Sequence, residues 1–389
     1  MKLGIDASNL RQGGGITHLI EMLRVARPGE HGFSRVVVWT DRSLAAHLPV
    51  APWLEVMQEP LLEKPLPLRI FWQQRILPRL ARQSCDVLFA PGGLSGSGFH
   101  PFVTMSRNML PFDEREMRRY GFSWVHLRLQ LLRYSQTRCF RRADGIIFLT
   151  DYAHSAVMQQ VKRISGHSAI IPHGVNPRFR LAPRQQKPVT EYSAENPYKL
   201  LYVSIVDAYK HQAEVVEAVA RLREKNLPVE LDIIGGVADK ASNQRLERAI
   251  ARANAVSRCV SYHGAVSFAK LPEWYQRADA FVFASSCENR PNILIEAMAA
   301  GLPIACSRSG PMPEVLGDAG AYFDPEKPEE IAAALELMIR NPDLRESMAM
   351  LAYNRAGKFS WEECADRTLA FIARVAAQGN GAAGHQISS

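Results

Sequence analysis

Glu288 and Glu296 stand eight positions apart in the run Ser285-Ser-Cys-Glu-Asn-Arg-Pro-Asn-Ile-Leu-Ile-Glu-Ala-Met-Ala-Ala-Gly301. Proline favours a first helical position, because its φ is fixed and its missing donor is not needed there. Opened by Pro291, residues 292 to 300 are predicted to form a short helix of good formers that stops at Gly301. Glu296 then lies one turn in, above Asn292, and a further four-residue step back puts Glu288 on the same side, in the entry loop. Two carboxylates at the positive end of a helix suit a diphosphate flanked by hydroxyls. The exposed amides attract phosphate, and the deeper carboxylate accepts paired hydrogen bonds from vicinal ribose hydroxyls. Two glutamates on one helical face are also what a solvated helix carries. The apolar stretches Ala278-Asp-Ala-Phe-Val-Phe-Ala284 and Leu302-Pro-Ile-Ala305 favour strand–helix–strand instead, with the helix start at strand tips where α/β ligands bind.

The elements that must position these residues alternate strand and helix in two successive runs. Residues 2–7 read as a buried strand, 11–15 as a glycine loop and 16–25 as a helix, followed by strands near 35–40, 87–90, 103–106 and 145–149. Between Pro177 and Pro197 the pattern dissolves into Pro, Arg, Gln, Ser and Asn, and the domain border is placed there. Alternation restarts with strands at 199–205, 230–234, 260–263, 280–284, 303–306 and 321–323. Such alternation predicts parallel sheets, and 389 residues suit two domains. A last helix is expected from Ser360 to about Ala377, with a Gly/Ala/Ser-rich tail from Gly379 to Ser389 expected to be disordered.

At 47% hydrophobic and 22% charged the chain is ordinary globular material. No run of eighteen apolar residues and no charged-then-apolar leader occurs, so a cytoplasmic location is expected. Six cysteines (85, 139, 259, 287, 306 and 364) are scattered with no Cys-x-x-Cys pair, which argues for reduced, buried thiols rather than disulfides or zinc. Charge is uneven. Residues 1–190 carry 26 Lys and Arg against 13 Asp and Glu, and the remainder 21 against 26. A basic first half favours a polyanionic surface, and the densest cluster runs from Arg115 to Arg142. Within it, Phe122-Ser-Trp-Val-His-Leu-Arg-Leu-Gln-Leu-Leu-Arg-Tyr134 suits either a membrane surface or an ordinary helix with its apolar stripe in the core. No aromatic reading surface is interleaved with these charges, which argues against nucleic acid.

The stretch His263-Gly-Ala-Val, Leu271-Pro, Tyr275-Gln-Arg-Ala-Asp279, Glu288-x7-Glu296-Ala-Met-Ala-Ala-Gly-Leu-Pro303 and Pro313-Glu-Val315 resembles the signature of family four retaining glycosyltransferases. Met1-Lys-Leu-Gly-Ile-Asp-Ala-Ser with Gly13-Gly-Gly15, and Ile171-Pro-His-Gly-Val175, are similar to that family's opening loop and end-of-first-domain motif, so the resemblance spans nearly the whole chain. It implies the α/β GT-B fold, two Rossmann-like β/α/β domains facing a central cleft. The expected spans are 1–180 for an N-terminal acceptor domain, with the helix 361–378 packing back on it, and 198–360 for the nucleotide-sugar domain.

By the same resemblance, Glu288 supports the sugar and its developing positive charge, and Glu296 holds the ribose. Lys210 stabilises the departing diphosphate. Gly14, Gly15, His173, Ser204, Arg290, Asn292 and Ile293 join Lys210 and Glu296 in donor binding, and Asn108 lies on the acceptor side, where relatives often carry a histidine. The implied reaction moves a hexose, weakly mannose or a deoxyhexose such as rhamnose from a GDP-sugar, to a hydroxyl of a lipid-linked glycan. The setting is bacterial surface polysaccharide synthesis, at the inner face of the membrane. No Asp-x-Asp occurs and no cluster has metal-ligand spacing, so neither metal nor cofactor is expected. Two departures stand out: Ile205 where many relatives place an arginine, and Asn289-Arg290-Pro291 where they commonly carry Gly-Phe-Gly. An epimerase of the same fold, or a noncatalytic basic member that binds membrane or nucleic acid, fits much of the pattern and stays open.

Overall fold

The computed structural model describes residues 1–11 and 13–384, the side chains of 379–384 aside. Two compact units emerge. The first holds a seven-stranded parallel sheet of β1 (Lys2–Asp6), β2 (Arg35–Thr40), β3 (Leu54–Gln58), β4 (Val87–Ala90), β5 (Phe102–Met105), β6 (Gly145–Phe148) and β7 (His167–Ile170), in the order β3-β2-β1-β4-β5-β6-β7. The second holds six parallel strands, β8 (Tyr198–Val203), β9 (Val229–Ile234), β10 (Val260–Tyr262), β11 (Ala280–Phe283), β12 (Ile304–Ser307) and β13 (Gly320–Phe323), in the order β10-β9-β8-β11-β12-β13. Central strands such as Val-Leu-Phe-Ala of β4 and Ala-Phe-Val-Phe of β11 are wholly buried, as a parallel sheet covered on both faces requires. Strand order reverses between β1 and β4 in one sheet and between β8 and β11 in the other. Loops leaving the carboxyl ends of those pairs diverge and open the crevice where α/β folds bind ligands.

The chain divides differently from the sequence expectation. Unit one comprises Met1–Asp113, Phe122–Gly174 and Phe359–Ser389, and unit two comprises Glu114–Gly121 and Val175–Lys358. The border thus falls at Gly174, not within 181–197, and a short segment between β5 and β6 clusters with the second unit. The polar stretch expected to be a linker is fastened to that unit through its backbone. The Leu181 amide donates to the Ala299 carbonyl at 3.0 Å, Arg184 reaches the carbonyls of Gln276 and Ala278, and Arg345 reaches Gln186 and the Lys187 carbonyl. Low apolar content does not free a segment whose own amide and arginine reach fixed carbonyls and whose Lys187 carbonyl is taken by the buried Arg345.

The helix Trp361–Gly384 belongs to the first unit, where Leu369, Phe371, Ile372 and Val375 join one cluster with Leu3, Ile5, Val87 and Phe89. Gly174 marks its docking, since a Cβ there would stand 2.3 Å from the Trp361 amide nitrogen. The helix also runs past the expected end near Ala377. It takes in the first six residues of the tail expected to be disordered. Residues 385–389 of that tail lie outside the described residues. All six cysteines are free and buried.

Candidate active site

The loops that follow β8 and β11 are laced together. The Tyr209 carbonyl accepts the Ser286 amide at 2.9 Å and both serine hydroxyls, from Ser285 at 3.4 Å and Ser286 at 3.3 Å. His211 Nε2 and Ser286 Oγ lie 2.9 Å apart, and the Tyr202 hydroxyl donates to the Lys210 carbonyl. Lys210 ends a short 3₁₀ turn, Ala208–Lys210, capped by Asp207, whose Oδ1 accepts the Ala208 amide at 2.8 Å and the Tyr120 hydroxyl at 2.7 Å. This lattice holds the Lys210 ammonium against Glu288 Oε1 as an ion pair, the lysine 5% exposed and the glutamate half-buried. A cation and a carboxylate seventy-eight residues apart therefore meet at the switch point of the second sheet. A pair so withdrawn from water interacts strongly and is fixed in position before any ligand arrives.

The helix Asn292–Ala299 begins one residue later than the proline rule suggests, with Pro291 as its cap at φ −76° and ψ 110°. It ends where expected, and Gly301 takes φ +63°. That glycine is required twice over, since a Cβ there would come within 2.8 Å of the Leu181 carbonyl oxygen and the Pro183 backbone. Glu296 is buried on this helix and accepts the Tyr275 hydroxyl at 3.1 Å. Burial pushes its carboxyl from the ordinary 4.5 up to about 7, against the lowering effects of the Tyr275 bond and the nearby Arg178 charge. Glu288 and Glu296 thus take different partners, Lys210 and Tyr275. Asn289 and Arg290 are buried, so the arginine does not point to solvent; Asn292 and Ile293 are half-buried at the helix start.

The raised Glu296 pKa has a testable sign. The folded protein holds a proton that the unfolded chain releases between pH 4.5 and about 7. The stability it contributes is complete below 4.5 and is lost as pH rises through 7. Relative to the parent, Glu296→Gln should therefore gain about 3 kcal/mol at most across that window, read from urea unfolding at several pH values. A difference that stays flat with pH would show the carboxyl to be well hydrated.

The remaining expected site residues fall into two groups. In the second unit Ser204 is buried and its hydroxyl accepts Gln212 Nε2 at 2.8 Å, while Ile205, in the position of the relatives' arginine, is 45% exposed. In the first unit Gly14 opens the helix Gly14–Val25, capped by Gly13 at φ +70°, whose carbonyl accepts the Ile16 amide at 3.1 Å. His173 is buried there, stacked on Trp361 at 5.7 Å with His18 edge-on at 6.2 Å, and its Nδ1 lies 3.1 Å from the Gly174 carbonyl. That setting seats it among rings next to Gly174, whose lack of a side chain lets Trp361 approach. Asn108 is exposed, and its Oδ1 caps the Leu110 amide at 3.1 Å.

Its neighbour Arg107, which sequence reasoning passed over, is the side chain that reaches the glycine loop. A Cβ on Gly15 would stand 3.6 Å from Arg107 Nε. Its Nη1 donates to the Met105 thioether at 3.3 Å, and desolvation lowers the guanidinium to about 10, still charged at neutral pH. The available signal was a basic residue directly after a strand end.

Among the described residues no group of three or more His, Cys, Asp or Glu is arranged to hold a metal ion. Among the described residues no helix is long and apolar enough to cross a membrane.

The fold recurs in solved proteins. A sucrose-phosphate synthase from Thermosynechococcus elongatus superposes over 97% of this chain and 100% of its own, with a TM-score of 0.76 and 17% identity. The glycosyltransferase WaaG, described as involved in lipopolysaccharide biosynthesis, superposes over 96% and 99%, with a TM-score of 0.68 and 16% identity. The fold is GT-B, two Rossmann-like parallel-sheet domains of seven and six strands. Residues 184–355, nearly the whole second unit, match the family described as glycosyl transferases group 1. Among curated relatives, the O-antigen chain mannosyltransferase B of Escherichia coli is 34% identical over 110 residues, 28% of this chain and 29% of that protein. A D-inositol 3-phosphate glycosyltransferase from Arthrobacter sp. (strain FB24) is 27% identical over 247 residues, 59% of this chain and 58% of that protein. The chain thus spans less than two thirds of the length of either relative.

Proposed function

We propose that this chain is a retaining glycosyltransferase that moves a hexose from a nucleoside-diphosphate sugar to a hydroxyl of a lipid-linked glycan in bacterial surface polysaccharide synthesis. The observation that carries the reading is the Lys210–Glu288 pair at the switch point of the second sheet, beside the group 1 helix bearing Glu296. In the reaction the bond from the anomeric carbon to the diphosphate oxygen breaks and a bond from the acceptor oxygen to that carbon forms on the same face. The acceptor proton passes to the leaving phosphate oxygen. Negative charge then grows on the diphosphate, where Lys210 and the first amides of the helix Asn292–Ala299 stabilise it. Glu288, freed from the lysine as the phosphate takes its place, supports positive charge on the sugar. Glu296 accepts the ribose hydroxyls.

A GDP-sugar is favoured by the likeness to a protein named an O-antigen mannosyltransferase. The protein itself would work at the inner membrane face, held there from its basic first unit. In this reading Lys210 and helix amides carry the charge that a metal carries in other transferases, so a chelator should leave transfer unchanged.

Melting of the purified protein with UDP, GDP, TDP and ADP tests the site. A nucleotide at about one hundred times its dissociation constant stabilises the native state by about 2.7 kcal/mol, and GDP is expected to give the largest rise. No rise with any of the four would sink the donor site. Epimerised or free sugar without a glycan product would assign the fold to epimerisation or hydrolysis instead.

A further inference from the structure

The chain turns sharply at His211, between the short turn that ends in Lys210 and the helix Gln212–Glu224. His211 takes φ +49° and ψ +35°, the left-handed region that side chains rarely adopt. Lys162 and Asn226 share a positive φ but are exposed, whereas His211 is buried. Such a conformation costs energy and persists where its surroundings hold it, most often at functional sites. Glycine takes the same φ without steric cost. The backbone therefore gains nothing from a histidine here, and what the position gains is the ring.

That ring has a partner on each side. Nε2 lies 2.9 Å from Ser286 Oγ, in the loop after β11, two residues before Glu288. Nδ1 faces Oε1 of the buried Glu214 at 3.7 Å, and Arg245 Nη2 holds that same oxygen at 2.8 Å. Gln212, next in the chain, turns back instead, donating to Ser204 Oγ and to the Ile205 carbonyl at 2.8 Å each. His211 thus crosses to the other loop while Gln212 closes its own. The brace starts one residue from Lys210 and ends two residues from Glu288, the two members of the ion pair. A preplaced charge helps a transition state to the extent that it needs no rearrangement, and small misplacements are costly.

We propose that His211 is a positioning residue for the Lys210–Glu288 pair, its ring tying the loop after β8 to the loop after β11 and so setting where ammonium and carboxylate stand when the diphosphate enters. It acts through those two side chains and not on the sugar. The inference rests on the donor-site reading above.

His211→Gly separates backbone from ring, because glycine keeps the left-handed turn and removes the brace. Ser286→Ala removes the same contact from the other side and leaves His211 in place. With GDP-mannose as donor and water as acceptor, each should lower kcat for GDP release about tenfold, what one hydrogen bond is worth, and change KM little. His211→Gly combined with Ser286→Ala should lose no more than either alone, since both remove one contact. A second readout needs no turnover. Acetylation of the full chain by a succinimidyl ester, resolved by mass spectrometry, should modify Lys210 about tenfold faster in both variants as its loop opens more often, with the exposed Lys358 reacting as in the parent. Full kcat in His211→Gly would make the turn a matter of backbone alone and overturn the proposal. Losses that multiply in the double variant, or Lys210 acetylated at the parent's rate, would overturn it too. A lowered urea midpoint with kcat unchanged would leave His211 a purely structural part. A parent chain that neither releases GDP nor melts higher with any nucleotide would sink the donor site and this role with it, whereas undiminished activity in the variants sinks this role alone.

Discussion

Lys210→Met is expected to reduce turnover by about 10²- to 10³-fold, the loss typical when a preplaced electrostatic group is removed from a transition state. Glu288→Gln should fall in the same range. Because the two side chains form an ion pair withdrawn from water, Lys210→Met leaves the half-buried Glu288 unmatched and Glu288→Gln leaves the buried Lys210 unmatched, each costing about 1–3 kcal/mol in stability. Lys210→Met combined with Glu288→Gln removes the mismatch and should recover most of that stability while turnover stays low. The rate losses should not add, since the groups act as one unit. Initial rates and urea midpoints on all three variants check this. A double variant that regains both stability and activity would show the pair to be purely structural.

The largest expected effect on folding lies elsewhere in the second unit. Arg345 is completely buried and donates to the carbonyls of Met338 and Ile339, to Gln186 Oε1 and to the Lys187 carbonyl, with its guanidinium 5.3 Å from the Tyr198 ring centroid. Met338 and Ile339 are in the last turn of the helix Pro328–Arg340, whose carbonyls have no intrahelical donor. One side chain therefore closes a helix end and pins the 175–198 segment. Arg345→Met should destabilise the unit by about 3–5 kcal/mol, since the buried Ile339 carbonyl loses its donor, the Met338 carbonyl keeps only the Asn341 amide, and Gln186 and the Lys187 carbonyl are released together. It should also expose residues 184–190 to proteolysis. An unchanged urea midpoint would contradict this.

What was legible in the sequence follows from burial. Central strands such as Val87–Ala90 and Ala280–Phe283 are covered on both faces and read as continuous apolar runs. The edge strands Leu54–Gln58 and His167–Ile170 were not legible, because half-exposed edges admit Glu, Gln, His and Ser and lose the pattern. The short helix after β11 and its stop at Gly301 were legible from local chemistry. The meeting of Lys210 with Glu288 was not, because it depends on β8 and β11 being neighbours in a sheet whose order no local pattern encodes. The fastening of residues 181–197 escaped for the same reason: the arginine that holds them comes from about 160 residues later.

The three-part construction of the first unit bears on how the chain is made. Its core cluster includes Trp361, Leu369, Phe371 and Ile372, so as the polypeptide leaves the ribosome the earlier-synthesised sheet waits with an uncovered greasy face. The unit made later has its strands in one continuous segment, and can settle first. The first unit cannot close its core until its last helix has been made, and a cut just before residue 359 would leave that leading lobe incomplete.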